Sequence, residues 1–195
     1  MDDKLRRRIE KVTKERISIV PYCLSWPKMF RDEANFLRKK LPHDLIKRIE
    51  HFGSTAVPGL YAKPVIDILV EVTSLGKTKE EIVPIMKNEG YEYFWRPAFG
   101  DNMPPYYAWF IKRDSKGKRT HHIHMVEEDS ELWDRIYFRD YLKEFPQTAE
   151  RYNKLKIELS KKYSKDRVKY TEGKSEFIIK TTKKAKKYYE DKTQP

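Results

Sequence analysis

Between residues 26 and 41 the apolar positions Trp26, Phe30, Ala34, Leu37 and Leu41 recur at i, i+4, i+8, i+11 and i+15, the spacing of one helix face. Ser25 and Pro27 suit the N-cap and first-turn positions, and Pro42 ends the helix. A second period, of two residues, marks strands. The aromatic-rich stretches 91–95 and 106–112 carry it; residues 46–52, which run into Gly53, the β-branched run VIDILVEV (65–72) and THHIHMV (120–126) read as strands as well. ISIVPY (17–22) reads as a further short strand. A helix over 77–89 is closed by Gly90, and 54–63 is a loop or short helix. The charged stretch 2–16 reads as a helix, RPAFGDNMPP as a loop and 114–117 as a turn. From Ser130 onward the pattern is helical: Tyr152, Leu155, Leu159 and Tyr163 share a face, and a last helix covers 174–190. The expected fold is α+β: a mixed β-sheet with flanking helices and a helical C-terminal third, in one domain over 1–195.

Composition narrows the chemistry. The 195 residues include 42 basic and 30 acidic side chains, a net charge of +12. That balance favours phosphate-bearing partners: nucleotides, polyphosphates, nucleic acid such as RNA, or an anionic surface. Lysines crowd the last 35 residues, where a solvated helical face explains them equally well. One cysteine, Cys23, excludes an internal disulfide and any cysteine-based zinc cluster. No apolar run is long enough to span a bilayer, and MDDKLRRRIEKV lacks the apolar centre of a signal peptide, so a cytoplasmic protein is expected.

Candidate chemistry concentrates in HFGSTAVPGLYAKPVIDILVEV (51–72). Gly53 lets the backbone approach a ligand, and Ser54 and Thr55 add hydroxyls beside N–H groups that can meet an anion. The alternative is a tight turn entering a buried strand. It is not a Walker A loop, because Leu60 stands after Gly59 where lysine is required. Asp67 is a carboxylate among apolar residues, costly unless paired or metal-bound. Strand periodicity puts it on one face with Leu69 and Glu71. The two acids are roughly 13 Å apart at about 3.3 Å per residue, too far to share an ion. In THHIHMV, His122 and His124 share a face and can meet one metal or one phosphate; a hydrogen-bonded buried pair is the plainer reading. Lys63, Arg96, Arg119 and Arg139 are candidate phosphate clamps or ordinary surface charges. Tyr106, Tyr107, Trp109, Tyr137 and Phe138 are core aromatics or a stacking surface for a base.

Taken together, PYCLSWPKMFRDEANFL, HFGSTAVPGLYAKPVIDILVEV, GYEYFWRP, RTHHIHMV, YFRDYLKEFPQTAERYNKLK and YTEGKSEFI resemble, in order, the blocks of the GrpB family, over roughly residues 16–180. That family is a branch of the polymerase-beta-like nucleotidyltransferase superfamily, and a similar domain is fused to dephospho-coenzyme A kinase in some bacteria. The resemblance implies a nucleotidyltransferase-type sheet. In it a Gly-Ser turn precedes a strand with two acids at i and i+2, a third acid stands on a neighbouring strand, and Mg²⁺ is held between them. Asp67 matches the first acid, Leu69 departs at the second, and His122 and His124 lie on the candidate third-acid strand. Imidazole suits Mn²⁺ or Zn²⁺ better than Mg²⁺. The implied site is then Asp67 and Ser54 as catalytic residues, and Asp67, His122 and His124 as metal ligands. Gly53, Ser54, Thr55, Lys63, Arg96 and Arg139 would bind phosphate. The implied activity is metal-dependent transfer of a nucleoside monophosphate to an acceptor. The alternative is a module that binds a nucleotide or coenzyme A-like ligand without turnover.

Overall fold

A computed structural model describes residues 17–97 and 105–193. The expected helix over 2–16 and most of the RPAFGDNMPP loop lie outside the described residues. Contacts divide the chain into two compact units. The sheet unit comprises 23–56 and 64–136, and the helical unit comprises residues up to Tyr22, Val57–Lys63 and Tyr137 onward.

The sheet unit begins with helix α1 (Trp26–Lys40), which buries Trp26, Ala34 and Leu37 as its apolar period requires. Pro27 sits in its first turn, but the Ser25 hydroxyl does not cap it. That hydroxyl instead meets the Cys23 thiol at 3.0 Å. Strands β1 (Ile46–Phe52) and β2 (Ile66–Val72) follow, joined through a 3₁₀ turn at Ser54–Ala56. Helix α2 spans 75–88, starting two residues earlier than its sequence pattern indicates because Ser74 accepts a hydrogen bond from the Lys77 N–H. Its middle, Thr78–Ile82, is a π turn. Pro84 stands two residues beyond it and has no N–H to continue an α ladder, a common reason for such a bulge. Gly90 closes the helix at φ +85°.

Strands β3 (Glu92–Pro97), β4 (Tyr106–Arg113) and β5 (Arg119–Val126) complete a five-stranded sheet in the order β1-β2-β5-β4-β3. Only β2 and β5 pair in parallel. The sheet is therefore mixed, and the α+β class holds. One face of β2, with Ile66, Ile68, Val70 and Val72, is fully buried, and α1 packs against this strand. Glu33 of α1 is buried among these elements, bonded to the Tyr91 hydroxyl and the Lys112 ammonium.

The helical unit contains α3 from Tyr137 onward (the helix is Asp134–Glu144), α4 (Pro146–Lys162), α5 (Arg167–Glu172) and α6 (Ser175–Thr193). Its core joins Val57 and Leu60 to Leu142, Ala149 and Tyr152. The strand expected over 17–22 does not form. Val20 makes a single bridge to Ala62, and a strand needs partners along its length.

Candidate metal and phosphate site

Directly paired residues in a sheet point to the same face, so register assembles this site. Phe52 pairs with Asp67 across β1 and β2. Asp67 pairs with His122, and Leu69 with His124, across the parallel β2–β5 contact. On the other side, His122 pairs with Ile111 and His124 with Trp109, while Trp109 and Tyr107 pair with Phe94 and Arg96 of β3. Five strands thus bring Phe52, Asp67, both histidines, Tyr107, Trp109 and Arg96 to one face.

The donor atoms of Asp67, His122 and His124 all lie within 4.8 Å of one another. Asp67 Oδ1 is 3.0 Å from His122 Nδ1. His124 Nδ1 and the Tyr107 hydroxyl are hydrogen-bonded at 3.1 Å. The His122 ring meets Trp109 edge-on at 5.2 Å, and Phe52 stands edge-on to His124 at 5.2 Å. Burial holds the His124 pKa well below its ordinary value; nearby Asp67 opposes this, and Arg135, His122 and Arg96 add to it. The ring is therefore neutral, the form that coordinates a metal. Burial likewise raises the Tyr107 hydroxyl, against a downward pull from Arg96 and Arg135.

Gly53 explains why a glycine precedes the serine. Its φ is +73°, and a Cβ there would lie 2.6 Å from Asp67 Oδ2. The turn passes so close to the carboxylate that no side chain fits. Ser54 is half-buried. Thr55 is buried, and its hydroxyl meets His51 Nε2 at 3.0 Å and the Val65 carbonyl at 3.5 Å, so it is engaged inside the turn.

The other cations separate. Arg96 stacks over Trp109, its Cζ 4.8 Å from the ring centre. Arg119 is buried. Lys63 and Arg139 belong to the helical unit, where Lys63 lies over Tyr170 and Arg139 makes a two-pronged pair with Asp140. Sequence reasoning passed over Arg135, whose Cζ lies 5.9 Å from the Phe52 ring centre, and the role of Tyr107 as partner of His124. Nothing in their local pattern marks either one.

Two nitrogens and one carboxylate fit a divalent transition metal better than Mg²⁺, which asks for oxygen ligands. An ion bonded at about 2.0–2.2 Å would draw the three groups closer together than they stand. The neutral state of His124 and its link to Tyr107 agree with such a role, since ligating imidazoles usually carry an outer hydrogen-bond partner.

Residues 16–184 match the family model described as GrpB protein. Glutamate-rich protein GrpB of Alkalihalophilus pseudofirmus is 34% identical over 168 residues, which are 86% of this chain and 94% of that one. The crystal structure of conserved protein GrpB from Enterococcus faecalis superposes with a TM-score of 0.76 at 35% identity, over 88% of this chain and 99% of that one. A shorter stretch of 71 residues, 35% of this chain and 17% of the other, is 41% identical to dephospho-CoA kinase of Mycobacterium bovis. The resemblance read from the sequence blocks therefore holds, and the chain belongs to the GrpB family.

Proposed function

We propose that this face of the sheet transfers a nucleoside monophosphate from a nucleoside triphosphate to an acceptor, with Asp67, His122 and His124 holding a divalent ion. The observation that carries the reading is the convergence of those three donors within 4.8 Å, directly beside the Gly53 turn. A bound ion would supply Lewis-acid polarisation of a phosphoryl oxygen. The chain's own residues bind and orient. The Ser54 hydroxyl and the N–H groups of its turn would take phosphate oxygens. Arg96 would neutralise phosphate charge. Without the ion Asp67 holds the His122 ring by its bond to Nδ1, a contact that ligation would replace, and Tyr107 holds His124 through Nδ1. Lys63 and Arg139, engaged within the helical unit, are given no part.

The second reading is a binding module without turnover. It is favoured by Leu69, fully buried where the superfamily pattern has a second acid, and paired across from His124. The match to dephospho-CoA kinase brings a coenzyme A-like ligand into that reading.

The test is elemental analysis of the purified protein, followed by calorimetric titration of Mn²⁺, Zn²⁺ and Mg²⁺, then of the four nucleoside triphosphates. Asp67→Asn and His124→Ala should each abolish metal binding and the metal-dependent part of triphosphate binding. Release of pyrophosphate from labelled triphosphate separates transferase from binding module. Protein that takes up no metal and binds no triphosphate sinks both.

A further inference from the structure

We infer that Arg135 and Arg96 form a two-arginine clamp that selects a ligand with consecutive phosphate groups on the Asp67–His122–His124 face. The inference rests on the reading of that face as the ligand site, but not on the metal.

The two guanidiniums approach from opposite sides. In the sheet order β1-β2-β5-β4-β3, Asp67 and the histidines occupy the inner pair β2 and β5. Arg96 stands on β3, its Cζ 4.8 Å from the ring centre of Trp109 and 5.8 Å from that of Tyr107. Trp109 in turn lies 5.2 Å from His122 and 6.1 Å from His124. Arg135 stands at the start of α3, still within the sheet unit, its Cζ 5.9 Å from the ring of Phe52 on β1. Phe52 lies 5.2 Å from His124. Each guanidinium is thus one aromatic ring away from His124.

The state of the two arginines gives the ligand its sign. Both are exposed. Among the described residues neither is in an ion pair with a carboxylate, whereas Arg48, Arg113 and Arg139 all are. Stacking on aromatic faces holds a guanidinium in place while leaving its N–H edge free to bond an anion. Guanidinium forks match phosphate in two-pronged geometry. A single carboxylate could not engage two forks reaching in from both sides of the β2–β5 pair. A chain of two or three phosphates carries enough oxygens and enough charge. With a divalent ion at the three donors, the site holds a net of about three positive charges, which suits a di- or triphosphate better than a monoanion.

Such a chain is found in free pyrophosphate and in a nucleoside triphosphate. Calorimetric titration of both, with and without Mn²⁺, distinguishes them. Wild type is compared with Arg96→Gln, Arg135→Gln and Arg135→Lys, with Arg31→Gln on α1 as the control for lost surface charge. Thermal melting checks that each variant is folded, and a titration of Mn²⁺ alone reads the metal centre separately. Each glutamine variant should weaken pyrophosphate and ATP binding by about tenfold or more, the size of one charge-assisted contact. Metal affinity should not fall, because each substitution removes a positive charge that repels a cation at His124, and Arg31→Gln should do nothing. Arg135→Lys should recover part of the loss, because charge returns without the fork. Folded Arg135→Gln that binds pyrophosphate and ATP within twofold of wild type overturns the clamp, even if the metal binds as proposed. Failure of Mn²⁺ to bind overturns the metal reading alone, and the same comparison on metal-free protein then decides the clamp. Variant effects on pyrophosphate and ATP alike support it; wild type that binds neither ends it.

Discussion

A methyl group added at Gly53 would arrive 2.6 Å from Asp67 Oδ2, inside van der Waals contact. It would also force a substituted residue to φ +73°, which costs roughly 1–2 kcal/mol by itself. Gly53→Ala should therefore destabilise the fold by about 1–3 kcal/mol and displace the carboxylate. Denaturant melts read the first effect and Mn²⁺ titration the second. Gly90 sits at φ +85°, and a Cβ there would meet nothing within 4 Å, so alanine at that position should share the strain and leave the metal titration alone. A Gly53→Ala variant with unaltered metal affinity would separate the turn from the site. Asp67 and the two histidines were visible in the sequence as chemistry-bearing types. The need for glycine beside them became clear only when the turn was seen against the carboxylate.

Helix α4 secures the 57–63 segment through three bonds. Asn153 donates to the Gly59 carbonyl at 3.0 Å and accepts from the Tyr61 N–H at 2.8 Å, and the Lys156 ammonium donates to the Tyr61 carbonyl. Lys156 is fully buried and lies over the Tyr152 ring. Burial, helped by the charge of Lys174, brings its pKa down to about 7. Unfolded, the same amine titrates near 10.5. Between those values the unfolded chain binds more protons than the folded one, so stability rises with pH across this window. Below about pH 7 the folded protein bears the full cost of the buried charge. Lys156→Met should remove this rise, flattening the pH 7–9 stability profile by up to about 1.4 kcal/mol per pH unit. Equilibrium unfolding at stepped pH measures it; identical slopes in wild type and variant would mean that the amine is solvated. The helical period of 146–162 could be read from Tyr152, Leu155 and Leu159. That a lysine on this helix is sealed from water depends on a segment almost a hundred residues earlier in the chain.

The net charge of +12 acts over the whole chain rather than at one contact. It should draw a triphosphate in faster at low ionic strength, with screening reducing the association rate several-fold between about 10 and 300 mM salt. The dissociation rate, set by contacts at the site, should change less. Stopped-flow binding of a fluorescent nucleotide separates the two, and an association rate indifferent to salt would remove steering from the account. An RNA bound through the lysine-rich C-terminal segment would behave differently. Its equilibrium affinity would fall steeply with salt as counterions are released. No helix among the described residues is long and apolar enough to cross a membrane.

Local pattern alone determined most of the elements here, because apolar spacing, β-branched runs and punctuating glycines and prolines are properties of neighbouring residues. It located α1 and all five strands to within a residue or two, and it put His122 and His124 on a common face. It failed where a partner decides the outcome. Residues 17–22 have strand character but only one bridging residue to pair with. Ser25 has the type for a cap, yet its hydroxyl turns to Cys23. Thr55 has a hydroxyl suited to phosphate, but the fold commits it to His51 and the Val65 carbonyl. The meeting of Asp67 with His122, the pairing of Leu69 with His124 and the placement of Arg96 follow from strand order and register, while Arg135 reaches Phe52 from the start of α3. Those are set by contacts between segments far apart in the chain, which burial energy selects and which no local repeat encodes.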